Sequence, residues 1–111
     1  MSKTDVIRQV ENILKELLEN RGIIIYKIVI FGSFAKGLQR EDSDIDIIVV
    51  SSVFRNMNIF ERVELTVGID RELVKRTKKP FDILYYSDEE WENSNSIIIN
   101  AAKQEGEVIY G

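Results

Sequence analysis

The run Asp44–Val50, DIDIIVV, constrains the fold most, because it begins with two carboxylates and then turns entirely apolar. Such a run reads as a strand with one end at a polar site and the remainder in a core. Other segments must then supply the cover. Ile24–Phe31 is β-branched and aromatic and runs straight into Gly32, which predicts a second strand. The single proline, Pro80, opens a third over Phe81–Tyr86, and Glu107–Tyr110 adds a short edge strand.

Helical periodicity fills the intervals. Val6, Val10, Ile13 and Leu17 recur at helical spacing between Thr4 and Asn20, with Ser2 or Thr4 as cap and Gly22 as stop. Ile59–Thr77 predicts a second helix on Phe60, Val63, Val67 and Val74, with Gly68 as its weak point. A last helix begins at Ser87 or Asp88, carries Trp91, Ile98, Ala101 and Ala102, and ends at Gly106. Gly32–Gly37 is a glycine-bounded turn that starts one or two helical turns at Ser33, and Leu38–Ser43 is a polar loop. The expected class is α/β (α+β): a small sheet of three or four strands packed with helices, forming one domain over residues 1–111.

Composition narrows the chemistry. The chain has no Cys and no His, which removes disulfides, thiolate nucleophiles, imidazole bases, Ser-His-Asp triads and zinc sites built on those ligands. Carboxylates, hydroxyls, Lys, Arg, Tyr and backbone amides are what is left. A net charge of −4 argues against a surface that neutralises many phosphates, so nucleic acid is not favoured as a partner. The longest apolar runs are far shorter than a membrane helix, and the first twenty residues are charged and amphipathic. A cytoplasmic protein without a membrane partner is the expectation.

Three elements of the sequence point to one chemistry. Side chains two apart on a strand share a face, so Asp44 and Asp46 are neighbours, and Asp82 joins them if the strands lie side by side. Adjacent carboxylates repel and raise one another's pKa, and a divalent cation such as Mg²⁺ relieves that repulsion. Three carboxylates at one sheet end can hold two metals, one activating an attacking oxygen and one stabilising a leaving phosphate. Gly32 lets a phosphate approach the backbone directly after a strand, Ser33 adds a hydroxyl, and Lys36 adds a charge.

GSFAKG, the six residues LQREDS ending in Ser43, and DIDIIVV together resemble the GSxAxG…SDxD signature of the minimal nucleotidyltransferases, within the DNA polymerase beta superfamily. PFDILYYS resembles the strand that carries that family's third carboxylate, and Ile98–Tyr110 its closing helix and strand. The resemblance implies a nucleotidyltransferase fold with a mixed sheet, two Mg²⁺ ions, ATP as substrate, and transfer of a nucleotidyl group with loss of pyrophosphate. It implies that Gly32, Ser33, Lys36 and Ser43 bind the nucleotide. Asp44, Asp46 and Asp82 are then the catalytic and metal-holding residues, with Asp82 holding the metal nearest the acceptor hydroxyl and taking that hydroxyl's proton. Lys36 departs from the Arg of many relatives and loses bidentate phosphate geometry.

Small relatives of this kind resemble the antitoxin half of two-component systems whose partner is a helical HEPN-domain RNase toxin. The resemblance thus implies transfer of AMP to a tyrosine of such a partner, which would supply the acceptor in trans because the chain stops at Gly111. The alternatives are an RNA end or small hydroxyl compound as acceptor, or a non-catalytic module that masks its partner. The basic run KRTKK, residues 75–79, reads as a solvated helix end, with contact to nucleotide or acceptor phosphates as the alternative, and Ile97–Ile99 cannot all face inward from one helix, so one or two either mark a homodimer or partner surface or are buried under a neighbouring loop.

Overall fold

The computed structural model describes residues 2–38 and 43–111. Residues 39–42, the centre of the expected polar loop, lie outside it.

Helix α1 (Lys3–Glu19) begins with a reciprocal cap: the Asp5 amide donates to the Ser2 hydroxyl at 3.1 Å and the Ser2 amide to the Asp5 carboxylate at 3.4 Å. It ends where Gly22 turns left-handed (φ 73°), so that the Ile23 amide reaches back to the Leu18 carbonyl at 3.0 Å. Val6, Val10, Leu14 and Leu18, one stripe of this helix, are buried. The first strand is shorter than its sequence signal. β1 spans Lys27–Phe31, and Ile24, at 75% exposed, is a surface residue.

β2 (Ile45–Val50) pairs antiparallel with β1, and β3 (Phe81–Tyr86) pairs parallel with β2. β4 (Glu107–Tyr110) closes the other side, giving the order β3-β2-β1-β4. The sheet is covered on both faces because its strands are apolar on both faces. Ile28, Ile30, Ile45, Ile47 and Val49 pack under α1 and α3 (Ile69–Thr77) with Leu14, Leu73 and Phe54. On the reverse face Val29, Ile48 and Val50 pack against Trp91 of α4 (Asp88–Asn93) and Ile99 and Ala102 of α5 (Ile97–Glu105). Among the described residues no helix is long and apolar enough to cross a membrane.

Two expected helices are each divided. Gly68 adopts φ 87° and separates α2 (Ile59–Thr66) from α3, and residues 94–96 separate α4 from α5, where Ser96 caps the new helix. The break at Gly68 changes which side chains are inside. Phe60, Val63 and Val67, expected in the core, are 81%, 58% and 65% exposed, while Ile69 and Leu73 of α3 are fully buried. Of the three consecutive isoleucines, Ile99 is buried, whereas Ile97 and Ile98 are exposed. The basic run behaves as a helix end: Arg76 bonds Glu72 and Glu16, and Lys78 closes α3 with φ 61°.

This packing predicts very unequal losses from two apolar truncations. Leu14→Ala should lower unfolding free energy by about 2–5 kcal/mol, and Phe60→Ala by less than about 0.5 kcal/mol despite the larger side chain. Urea denaturation of the two variants is the check, and comparable losses would mean that the outer face of α2 is packed.

Candidate active site

All the residues singled out for chemistry fall at one end of the sheet or beside it. β2 and β3 run parallel and begin there, while antiparallel β1 ends there. Phe31 of β1 lies opposite Asp46, and Asp46 lies opposite Asp82. Side chains at Asp46 and Asp82 therefore leave the sheet on the same face, next to one another. Asp44 immediately precedes β2 and is exposed, as is Asp82, while Asp46 is half-buried.

Gly32 follows β1 with φ 76°, a conformation that glycine tolerates and other residues rarely do. A Cβ there would collide with Oδ2 of Asp46, so the missing side chain is what lets this carboxylate stand against the turn. The turn itself is a single helical loop. The Lys36 amide donates to the Gly32 carbonyl at 3.3 Å. Gly37 (φ 72°) then lets the Leu38 amide donate to Ser33 O at 2.9 Å and its own amide to Phe34 O at 3.1 Å. This matches the expected start at Ser33 but falls short of a regular helix. Phe34, fully buried, fastens the turn to the core, and Lys3 Nζ donates to Ala35 O at 2.9 Å.

The electrostatics are those of under-neutralised carboxylates. Partial burial, then Asp82 and Asp44, hold the Asp46 carboxyl above its ordinary range. Asp70, in the first turn of α3, is raised by the same causes in the same order: partial burial, Asp82, Asp44. Asp70 is thus a fourth carboxylate within reach of the cluster that sequence reasoning missed. Its one sequence signal is the glycine two residues ahead, which starts α3 and turns its first residues toward the sheet end. Lys36 is not directed at the cluster: its ammonium bonds Glu105 of α5 at 3.0 Å, both side chains being about half exposed. Ser43 sits half-buried immediately before Asp44.

The donor set suits a hard divalent cation, since it is all carboxylate oxygen and its repulsion is what a cation would relieve. Among the described residues these groups are not gathered into a finished metal cage. Beyond Asp70 a cavity of about 710 Å³ opens between α2 and β3. Its Tyr85 phenol is pushed up by burial and by the Asp70 charge, so it stays protonated.

Residues 7–103 match the model of a family described as the nucleotidyltransferase domain. The chain is 33% identical over 79 residues to the protein adenylyltransferase MntA of Thermococcus cleftensis, spanning 64% of this chain and 78% of that one. A crystal structure of a toxin-antitoxin with AMP-PNP aligns at TM-score 0.65 and 23% identity, over 91% of this chain and 73% of the other. A tri-AMPylated Shewanella oneidensis HEPN toxin in complex with MNT antitoxin aligns at TM-score 0.59 and 19% identity, over 95% and 72%. At those identities the two solved structures share the fold.

Because Asp46 binds its proton more tightly in the folded chain, its contribution is largest below its ordinary value of 3.8 and is lost as pH rises through the higher folded value. Asp46→Asn should therefore raise Tm at pH 7, and raise it less near pH 3.5, where the wild-type contribution is retained. Thermal scans at both pH values test this, and an equal gain at both would contradict it.

Proposed function

Since the chain belongs to the nucleotidyltransferase-domain family and is by that membership a nucleotidyltransferase, we propose that it transfers AMP from ATP to a tyrosine hydroxyl of a helical HEPN-type partner, in the antitoxin role. The observation that carries this reading is the alignment of Gly32, Asp46 and Asp82 across three neighbouring strand ends. Support for the acceptor comes from the relative named a protein adenylyltransferase and from the fold shared with an MNT antitoxin bound to an AMPylated HEPN toxin.

The residues divide the work by position. Gly32 and Ser33 receive the triphosphate: the turn exposes backbone amides, its glycine removes the side chain that would block approach, and the Ser33 hydroxyl adds a donor. Lys36 can join only by exchanging Glu105 for a phosphate. Ser43 flanks the carboxylate pair on the nucleotide side. Asp44, Asp46 and Asp82 would hold Mg²⁺, which when bound neutralises phosphate charge and lowers the pKa of the acceptor hydroxyl. Asp82, on the strand farther from the turn, takes the acceptor proton. The acceptor oxygen bonds to the α-phosphorus, the bond from that phosphorus to the bridging oxygen of the β-phosphate breaks, and pyrophosphate departs. A single domain over residues 1–111 supplies this machinery, and the partner supplies the acceptor.

Incubation with Mg²⁺, α-labelled ATP and a HEPN-type partner should place label on the partner's tyrosine. Asp44→Asn, Asp46→Asn and Asp82→Asn should each lower the rate by about 10³-fold or more, roughly 4 kcal/mol of barrier, with unchanged circular dichroism. Undiminished labelling by any of them would remove that residue from the site. Label on RNA or on a small hydroxyl compound instead of the partner would replace the acceptor.

A further inference from the structure

The cavity between α2 and β3 plays no part in the reading above, and three observations give it one. The first is the order of groups across the sheet end. Nucleotidyl transfer needs the attacking oxygen and the departing pyrophosphate on opposite sides of the α-phosphorus. The Gly32–Ser33 turn follows β1, Asp46 is on β2 and Asp82 on β3, and β3 is the outermost strand on that side. An acceptor opposite a triphosphate held at the β1 turn must therefore enter from the β3 side. The cavity lies there, with Asp70 among its lining residues.

The second observation is the free edge of β3. The Pro80 and Tyr86 carbonyls accept from Ile45 and Ser51 amides, each at 3.0 Å, on the β2 side. In a parallel ladder alternate residues turn their backbone groups to one side, so Ile83 and Tyr85 direct theirs outward into the cavity. Arg62 marks that direction by donating to Tyr85 O at 3.2 Å, which leaves the Ile83 amide and carbonyl and the Tyr85 amide facing the groove.

The third is the opposite wall. Ile59 and Val63 of α2 and Val67 at its C-terminal cap line it and are 70%, 58% and 65% exposed. The charged side chains that line the cavity are Asp70, Glu90 and Arg62, and Arg62 is bound to Glu90 at 2.7 Å. Among the described residues the lining carries no surplus positive charge for a phosphate backbone, whereas an apolar wall facing a strand edge suits a polypeptide in extended form.

Resting on the nucleotidyl-transfer reading, we infer that the groove between α2 and β3 is the acceptor-binding site. Its occupant is an extended polypeptide segment that adds alongside β3, sets apolar side chains against Val63 and its neighbours, and presents its hydroxyl to Asp82.

The experiment uses the full chain with Mg²⁺, α-labelled ATP and two acceptors. One is N-acetyl-tyrosine amide, and the other is a lysine-capped peptide of alternating valine and threonine with one central tyrosine. The peptide should have a KM roughly tenfold or more below that of the amide, as two or three strand-edge hydrogen bonds allow. N-methylation of one alternate set of peptide amides should abolish that advantage, and methylation of the other set should preserve most of it. Val63→Trp, which fills the groove, should raise the peptide KM about tenfold and move the KM for ATP by less than about twofold. Val67→Gln, a smaller change on the same exposed wall, should act in the same direction. A peptide no better than the amide, indifference to which amides are methylated, or a rise in the KM for ATP in either variant would overturn the proposal, the last by placing the nucleoside in the groove. Absence of label on both acceptors would overturn the protein-acceptor reading itself, and this proposal with it.

Discussion

The parallel pairing of β2 with β3, in the register that sets Asp46 beside Asp82, is the contact on which the rest of this structure depends. Side chains alternate across a sheet, so a slip of one residue would turn Asp82 to the opposite face and dismantle the carboxylate group. The register is secured by apolar matching below the site. Ile47 with Ile83 and Ile48 with Leu84 can lie level only when the two acidic residues also do. Parallel strands need a long crossover, and here it runs from Ser51 to Pro80 through α2 and α3. The crossover covers one face of the sheet with Ile69 and Leu73, brings Asp70 toward the cluster, and lays α2 along the free edge.

The same arrangement sets stability against function. Partial burial first, and then the charges of Asp82 and Asp44, raise the proton affinity of the Asp46 carboxyl, and the folded chain carries that strain at neutral pH. The burial on both sheet faces offsets it. Gly32 is the hinge between the two requirements, since its left-handed backbone and missing Cβ leave room for the Asp46 carboxylate where any other residue would displace it.

Much of this was legible in the sequence for identifiable reasons. DIDIIVV and PFDILYYS carry both their burial and their polarity in one short run, so the strands and the placement of their carboxylates at one sheet end could be read together, and β3 falls on the expected Phe81–Tyr86. The α1 stripe was equally clear because cap, periodicity and glycine stop agree. Phe60, Val63 and Val67 misled because helical spacing reports that a face is apolar and is silent about what covers it. In this structure that face is exposed, and Gly68 redirects the chain before α3 supplies the core residues. Asp70 was hidden for a different reason. It is one acidic residue among 19 Asp and Glu, and only the tertiary path of α3 distinguishes it. Strand β1 was overread at its start because β-branched Ile24 and Ile25 have strand propensity but, among the described residues, no partner strand there.

The claim that the sheet order assigns opposite sides to leaving group and acceptor is tested most directly by a crystal structure with Mg²⁺ and a non-hydrolysable ATP analogue. The account predicts the triphosphate against the Gly32–Ser33 turn, metal on Asp44 and Asp46, and the α-phosphorus open toward Asp82 and the groove beside β3. A triphosphate lying in the groove, or a nucleotide whose α-phosphorus faces away from Asp82, would contradict it.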